Sequence, residues 1–419
     1  MLTVEQNEEL TSVGPGTPMG ELLRRYWYPI AFEQDFDKGR PSKTVRLLGE
    51  NWTLYKTPSG KYGIIGEACP HRRASLTYGV VREDGISCGY HGWKYDFDGQ
   101  CIEQPAESDN TAFRDKITAK AGVAQPMGGM IWVYVGPQPV PELPRFDVYV
   151  EDGIRDIGVA TLPCNWLQIM ENSVDPHHVE FLHGQYFEFL GQTEGFEAPK
   201  SFQKKHIKVA FDEFEYGIIK RRVLEGHTEE SDDWAIGHPL MFPYGMRVGG
   251  MWIDQMQIRV PIDDTTTWKL FYTLHHPEGG TWEKQDHPVV YDYEWIDENG
   301  EFITDYVEGQ DVMAWVSQGT VTDRSQEHLG RSDQGVAMLR KMFKEAMASV
   351  EDGEDPPGVV REKHEIIELP CEKDKFGAGT AFTDQWINGG SMRYSPIREE
   401  LLALHRDAAA AREKAGSGA

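Results

Sequence analysis

Two short stretches near the front of the chain each place a cysteine close to a histidine. Cys69 and His71 lie in CPHRRASL, and after sixteen intervening residues Cys88 and His91 lie in CGYHGW. Thiolates and imidazoles are metal ligands, and four of them in two loops could complete one site. The spacing therefore predicts a metal centre built from two Cys/His pairs.

Two kinds of metal centre fit these four side chains. Tetrahedral zinc accepts two cysteines and two histidines, although zinc modules usually pair cysteine with cysteine. A [2Fe–2S] cluster with two thiolates on one iron and two imidazoles on the other needs two mixed pairs. The mixed pairing favours the iron–sulfur cluster, and zinc remains the alternative.

A third stretch, ENSVDPHHVEFLHG, contains Asp175, His178 and His183. Two histidines and one carboxylate bind non-haem Fe(II) and leave positions open for O2 and substrate. In a straight α-helix a step of five residues turns by about 140° beyond one full turn, so the two imidazoles would diverge. We expect Pro176 and Gly184 to distort and end the helix, so that His183 can reach the metal.

These motifs resemble a known family. CPHRRASL and CGYHGWKYD resemble the binding signature of Rieske [2Fe–2S] domains, in the form found in Rieske oxygenases. The pattern D-x2-H-x4-H, preceded by Asn172, resembles the catalytic motif of the same enzymes, and similar stretches extend over about residues 14–340. The resemblance implies that the first four side chains bind the cluster and that His178 and His183 bind a mononuclear Fe(II).

The resemblance also implies a third iron ligand and a bridging carboxylate. Asp311, within DYVEGQDVMAWVSQG, matches the ligand aspartate of the phthalate-dioxygenase-like branch, with Glu308 and Asp305 as rivals. Asp175 matches the aspartate that links a mononuclear-site histidine to a Rieske histidine of a neighbouring subunit; a helix cap beside the proline is its alternative role. His177 is expected to be a packing or surface residue.

The bridging role implies two contacts for Asp175. Its partners would be His178 in the same chain and His91, or else His71, in a neighbouring subunit. Such a link requires head-to-tail assembly, and a heterologous interface of this kind can close into a homotrimer.

The activity implied is that of an oxygenase component. The enzyme would hydroxylate or O-demethylate an aromatic carboxylic acid with O2 and with electrons from NAD(P)H. The chain has no G-x-G-x-x-G after a strand and no C-x4-C-x2-C run, so a separate reductase must supply those electrons. Lys204, Lys205 and Arg247 are candidate partners for the substrate carboxylate. The alternatives are a Rieske electron carrier without oxygenase activity and a zinc-binding scaffold protein.

The elements that position these residues predict an α+β fold. Runs such as KTVRLL, NWTLYKT and MIWVYVG predict short antiparallel strands with the ligand pairs in the turns between them. Later runs such as YGIIKRRVL and TWKLFYTLHH predict a larger antiparallel sheet flanked by helices. We expect an N-terminal segment (1–29), a Rieske domain (30–145), a catalytic domain (146–405) and a tail (406–419).

Composition limits the partners and the compartment. A formal charge of −26 over 419 residues argues against nucleic acid as a partner. The sequence shows neither a signal peptide pattern nor an apolar stretch long enough for a membrane span, so we expect a cytoplasmic protein without a membrane partner. Five scattered cysteines suit metal ligation in a reducing compartment better than a set of disulfides.

Overall fold

Ten antiparallel strands form the N-terminal unit of the computed structural model, which describes residues 1–107, 111–196 and 198–416. Six of them form one sheet in the order β1-β10-β9-β4-β3-β2, and four form a smaller sheet in the order β5-β6-β7-β8. The strands are β1 Tyr28–Phe32, β2 Ser42–Leu47, β3 Glu50–Lys56, β4 Tyr62–Gly66, β5 Val80–Arg82, β6 Gly85–Ser87, β7 Lys94–Tyr95, β8 Cys101–Glu103, β9 Ala121–Met127 and β10 Met130–Tyr134.

The second unit is built on a single eight-stranded sheet in the order β12-β13-β14-β15-β16-β17-β11-β18. Its strands pair antiparallel, except that β18 runs parallel to β11. The strands are β11 Ile154–Leu162, β12 His206–Phe214, β13 Gly217–Leu224, β14 His238–Met241, β15 Gly245–Gly250, β16 Ile253–Asp263, β17 Thr266–His275 and β18 Val289–Asp292.

Helices cover this sheet and connect it to the N-terminal unit. The α-helices are α1 Val4–Thr11, α2 Pro18–Leu23, α3 Thr111–Arg114, α4 Asp147–Val150, α5 Trp166–Val174, α6 Phe187–Glu194, α7 Asp232–Ala235, α8 Val307–Val316, α9 Gln334–Glu351, α10 Ala381–Gly389 and α11 Arg398–Gly416. A π-helix spans Val179–Tyr186, and short 3-10 turns span Glu33–Phe36, Leu76–Tyr78, Lys200–Gln203, Arg331–Asp333, Lys375–Gly377 and Ser391–Tyr394.

The two faces of the central strand β16 differ in chemistry because successive side chains point to opposite sides of a strand. One face is apolar and joins the main hydrophobic core, whereas the other carries buried polar side chains. The apolar set is Met256, Ile258 and Val260, and the polar set is Gln255, Gln257 and Arg259. The sheet therefore presents a buried polar surface to the helices that pack on that side.

Helix α5 is fixed at both ends by buried hydrogen bonds. Asn165 caps its start by accepting from the backbone N–H of Leu167 at 3.0 Å. Near its other end, Glu171 binds Arg324 at 2.6 Å and Arg340 at 2.6 Å. These contacts hold the segment that leads directly into the D-x2-H-x4-H motif.

The two units share one hydrophobic core. Buried side chains of α1, α2, β1 and β10 belong to the same cluster as those of β16, β17 and α9. The backbone joins them too, because Leu48 and Gly49 donate N–H groups to the carbonyls of Pro261 and Ile262, each at 2.9 Å. The contact between the units is therefore a continuous packed interior.

The architecture confirms the predicted α+β fold, with a small β unit followed by a larger antiparallel sheet and helices. The strand runs named above all form strands. In the described part of the chain, no helix is both long enough and apolar enough to cross a membrane.

Candidate functional site

The first Cys/His pair lies in a tight loop after β4. The N–H of Cys69 donates to the carbonyl of Ala74 at 2.9 Å, and the N–H of Arg73 donates back to the carbonyl of Cys69 at 2.8 Å. Arg73 adopts a φ of 63°, a left-handed conformation that closes the loop. These bonds hold Cys69 inward and leave His71 at the rim.

The second pair lies in the turn between β6 and β7. The N–H of Cys88 donates to the carbonyl of Trp93 at 2.8 Å, and that of Gly92 donates to the carbonyl of Cys88 at 2.9 Å. Gly92 has a φ of 74°, and a Cβ there would lie 3.2 Å from the side chain of Pro105. A glycine therefore suits both the backbone and the space at this turn.

The fold brings these two loops together. The rings of His71 and His91 lie 4.6 Å apart between centroids, and His71 stacks on Trp93 at 4.3 Å. The thiols of Cys69 and Cys88 are buried beneath them, and the hydroxyl of Tyr95 lies 3.3 Å from the sulfur of Cys69. Two sulfurs on the inside and two imidazoles at the rim match the donor set of a Rieske cluster.

The chemistry of this pocket fits bound iron better than free side chains. Burial raises the pKa of the Cys88 thiol, and the nearness of Cys69 adds to the rise. Nδ1 of His91 is buried without a hydrogen-bond partner in the described part of the chain. Iron would displace the thiol protons and could supply the missing partner for an imidazole nitrogen.

The second candidate centre begins where α5 ends. Asp175 terminates that helix, and its carboxylate accepts from the N–H groups of His177 at 2.8 Å and His178 at 3.0 Å. It also lies 3.5 Å from Nδ1 of His178. Burial alone would raise the pKa of Asp175, but the contact with His178 and these N–H groups lower it well below its usual value.

The segment after Pro176 differs from the expected distorted α-helix. Residues Val179–Tyr186 form a π-helix, and Gly184 lies inside it instead of ending it. In a π-helix the hydrogen bond runs between residues i and i+5, and each residue turns through a smaller angle than in an α-helix, so residues five apart diverge less. The change of helix type therefore brings His178 and His183 onto the same side, with ring centroids 5.3 Å apart.

Asp311 of α8 completes this cluster. Its Oδ1 atom lies 3.2 Å from Nε2 of His183 and 3.9 Å from Nε2 of His178. The three side chains offer ligand atoms that all lie within 4.8 Å of one another. The structure thus brings together His178, His183 and Asp311, although more than a hundred residues separate Asp311 from the histidines in the sequence.

Gln310 fixes the orientation of His183 and was not predicted as a site residue. Its Oε1 lies 2.9 Å from Nδ1 of His183, and its Nε2 donates to the carbonyl of Thr304 at 2.9 Å. An amide oxygen accepts the Nδ1 proton and leaves Nε2 directed at Asp311. The position of Gln310 directly before Asp311 in the sequence is the signal that could have indicated this role.

The electrostatics of the group formed by His178, His183 and Asp311 favour a bound cation. Burial opposes the charge of His183, yet the Asp311 carboxylate outweighs burial and raises the pKa of the imidazole. Burial likewise opposes the charge of Asp311, and His183 and His178 nevertheless lower its pKa. Oδ1 of Asp311 accepts no hydrogen bond of good geometry in the described part of the chain. A divalent ion can replace the proton in this arrangement.

The rival acidic residues have other partners. Glu308 accepts from the N–H of Ser391 at 2.7 Å, and burial followed by the charge of Asp311 raises the pKa of Glu308 to about 7. Asp305 forms an ion pair with Arg393 at 2.8 Å. The structure therefore places Asp311, and neither rival, beside the two histidines.

His177 is not part of the group formed by His178, His183 and Asp311. Its ring lies 5.6 Å from that of His206, and these two histidines with Glu180 form a separate group of close polar side chains. The expectation of a packing residue agrees with this half-buried position.

A cavity of about 520 Å³ opens beside the cluster of His178, His183 and Asp311. Rings and aliphatic side chains form much of its wall: Phe202, Met246, Val248, Trp315, Phe376 and Trp386. Four basic side chains also line it: Lys220, Arg222, Arg259 and Lys375. Aromatic walls with a few charged groups are typical of a small-molecule site.

The basic residues suggested by the sequence lie elsewhere. Arg247 pairs with Asp147 at 2.7 Å and with Asp254 at 2.9 Å, on the strand face opposite to its neighbours Met246 and Val248. Lys204 contacts His227 at 2.8 Å, and neither it nor Lys205 lines the cavity. The sequence predicted the strand that carries Arg247. Only the fold shows which face of that strand meets the site.

A second cavity of about 600 Å³ lies between the N-terminal segment and the large sheet. Its wall includes Tyr26, Trp27, Met241 and Phe242, and it contains none of the residues of either metal centre. Met241 and Phe242 border this cavity, whereas Met246 of the next strand borders the cavity beside His178, His183 and Asp311.

Comparison with known proteins identifies the family of the chain. Residues 26–120 match the model of the Rieske [2Fe–2S] domain, and residues 285–371 match a domain described as LigXa C-terminal domain like. The chain is 42% identical over 382 residues to the 5,5'-dehydrodivanillate O-demethylase oxygenase subunit of a Sphingobium species, covering 88% of this chain and 87% of that one.

Two further proteins extend the comparison. The phthalate 4,5-dioxygenase oxygenase subunit of Pseudomonas putida is 30% identical over 401 residues, covering 85% of this chain and 89% of that one. The solved terminal oxygenase of carbazole 1,9a-dioxygenase from a Novosphingobium species has the same fold, with a TM-score of 0.58 and 18% identity over 86% of this chain and all, 100%, of the other. The chain belongs to the Rieske oxygenases, as a terminal oxygenase subunit that uses a [2Fe–2S] cluster and a mononuclear iron.

Proposed function

We propose that this oxygenase subunit inserts oxygen into an aromatic carboxylic acid, by ring hydroxylation or by O-demethylation. The observation that carries the proposal is the cavity beside His178, His183 and Asp311, with its aromatic and basic walls. Ring walls suit a flat substrate, and cations suit its carboxylate. The names of two relatives support the same class, since dehydrodivanillate and phthalate are aromatic acids.

The ligands of the mononuclear iron are proposed to be His178, His183 and Asp311. Fe(II) in such a set supplies open positions for O2 and substrate when it is bound. Gln310 holds the tautomer of His183 that leaves Nε2 free, at a distance of 2.9 Å from Nδ1. The surrounding cavity excludes bulk water and orients the substrate atom that reacts.

The ligands of the cluster are proposed to be Cys69, His71, Cys88 and His91. The buried thiols and the rim imidazoles support this assignment, because the imidazoles face the surface through which electrons must pass. We further propose that residues 30–145 are the electron-accepting domain and that residues 146–405 are the oxygenating domain.

Asp175 is proposed to pass electrons between neighbouring subunits. Within one chain it contacts His178, and its second partner would be the cluster histidine of another copy, His91 or His71. Exposed apolar side chains support such docking at both sites: Tyr78, Val80, Tyr90 and Phe113 near the cluster, and Phe181, Phe189 and Ile207 near the iron site. Head-to-tail contacts between these surfaces would close a homotrimer.

A separate redox partner supplies the electrons of this subunit. We propose that this partner is a reductase that oxidises NAD(P)H and carries a flavin and a ferredoxin-type cluster. O-Demethylation would consume one O2, two electrons and two protons, and would convert an aryl methyl ether into a phenol, formaldehyde and water. Ring dihydroxylation would use the same electrons and would release no formaldehyde.

The test is substrate-dependent oxygen uptake by the iron-loaded protein with a surrogate reductase. Phthalate, vanillate and a methoxylated biphenyl dicarboxylate would be compared with their methyl esters, and formaldehyde would be assayed in parallel. We expect uptake with at least one acid, and formaldehyde would assign O-demethylation. Uptake with neutral aromatics and with none of the acids would refute the proposed substrate class.

A further inference from the structure

The four basic side chains of the cavity fall into two classes. Arg222 pairs with Asp233 at 3.2 Å, and Lys375 pairs with the buried carboxylate of Glu372. Both positive charges are thus neutralised by the protein itself. They can shape the cavity without needing a charged ligand.

Lys220 and Arg259 have no such partner among the described residues. Lys220 donates to the carbonyl of Ser173 at 2.7 Å and lies 3.5 Å from that of Asp175. Arg259 donates to the carbonyl of Gln257 at 2.8 Å, to its Oε1 at 3.2 Å and to the hydroxyl of Ser173 at 2.5 Å. In the described part of the chain neither forms an ion pair with a carboxylate, although both are almost fully buried.

A third buried basic side chain lies behind the cavity. Lys269 is fully buried and donates to Oε1 of Gln257 at 3.0 Å, beside Arg259. The acidic groups that act on this region are Asp311, which faces His183, and Glu308, which accepts from Ser391. An iron ion at Asp311 would take up that negative charge as well.

Burying an unpaired charge costs free energy unless a counter-ion or strong hydrogen bonds compensate it. Burial accordingly lowers the pKa of Lys220 to about 7 and that of Arg259 to about 9. Nε of Arg259 is also without a hydrogen-bond partner in the described chain. An anion in the cavity would relieve both residues at once, because they meet at Ser173.

We propose that Arg259 and Lys220, connected through Ser173, form the subsite that binds the carboxylate of the substrate. The inference rests on the proposed function and specifies which two of the four cations recognise the acid. A guanidinium can donate to both oxygens of a carboxylate, and the ammonium of Lys220 adds a point charge. The substrate ring then extends from this subsite toward the aromatic wall and the iron.

Binding to the resting protein, without turnover, tests this subsite. The cluster- and iron-loaded protein would be titrated anaerobically by calorimetry with phthalate, vanillate and biphenyl-3,3'-dicarboxylate, and with the methyl ester of whichever acid binds. Arg259→Gln should weaken binding of the acid about 10- to 100-fold, as expected for loss of a charged hydrogen-bond pair, and should change ester binding by less than about threefold.

The matched control removes a paired cation together with its partner. The double variant Lys375→Gln with Glu372→Gln leaves no unpaired charge and should keep acid binding within about threefold. Thermal unfolding separates a structural role from a binding role: without ligand, Arg259→Gln should keep or raise the Tm, because it removes an uncompensated buried charge. With the acid present, the wild type should gain Tm and the variant should not.

Equal acid affinity in wild type and Arg259→Gln would overturn the subsite. If that variant does not fold, Lys220→Met provides the same comparison. Acids that bind in an Arg259-dependent way but are never oxygenated would refute the proposed function alone. Acids that are oxygenated equally by both proteins would refute only the subsite.

Discussion

Replacing Gln310 with leucine should weaken iron binding without affecting the cluster. The substitution removes the oxygen that lies 2.9 Å from Nδ1 of His183, where both side chains are buried. A buried N–H group without an acceptor costs about 1–3 kcal/mol. Loss of the hydrogen-bond partner of a metal-binding histidine typically lowers metal affinity about 10- to 100-fold. This change in affinity corresponds to the same range of free energy.

The assay is competition for Fe(II) with a chelator of known affinity, followed by iron analysis. The absorption of the cluster should be unchanged, because its ligands lie in the N-terminal unit. Gln318→Leu controls for the substitution itself at an exposed position just after the same helix, since Gln318 contacts Ala314 and Thr322 and not His183. A folded Gln310→Leu variant with wild-type iron affinity would refute the positioning role of Gln310.

Three further predictions concern the site and its support. His178→Ala should abolish oxygen uptake and retain the cluster absorption; loss of that absorption would contradict two separate centres. Asp175→Asn should keep both metals but slow electron transfer to the iron in a stopped-flow reduction, and a wild-type rate would exclude the bridging role. Glu171→Gln should lower the free energy of unfolding by about 3–5 kcal/mol, because the buried Arg324 loses its carboxylate partner, whereas Arg340 keeps its ion pair with Glu327. Burial opposes the charge of Glu171, but these arginines lower its pKa below 4.5. The stabilisation of the fold by Glu171 should therefore be complete above pH 4.5 and should be lost on acidification. Denaturant unfolding at several pH values would measure this loss.

The sequence predicted those parts of the molecule that depend on local patterns. Alternating apolar residues located the strands, and the two Cys/His pairs fell in turns that the structure brings together. The grouping of His178, His183 and Asp311 was also predicted, although only through a family resemblance. Local spacing showed that a straight α-helix could not direct both imidazoles at one metal, but it did not predict the π-helix, and Gly184 lies inside that helix instead of ending it.

The remaining features depend on tertiary contacts. Arg259 and Arg247 both lie in well-recognised strands, yet one borders the cavity and the other pairs with Asp147 and Asp254 on the other side. Strand alternation gives two faces but does not say which face meets the site. Gln310 was likewise visible beside Asp311, but its contact with His183 depends on the packing of α8 against the π-helix.

The common interior of the two units limits how electrons can travel. A [2Fe–2S] domain that moves between an electron donor and an electron acceptor needs a hinge and a poorly packed boundary with the rest of the chain. Here the core is continuous, and the backbone hydrogen bonds from Leu48 and Gly49 tie β2 to the end of β16. The separation between the cluster and the iron of one chain is therefore set by the fold, and movement of one unit against the other would have to break this packed interior.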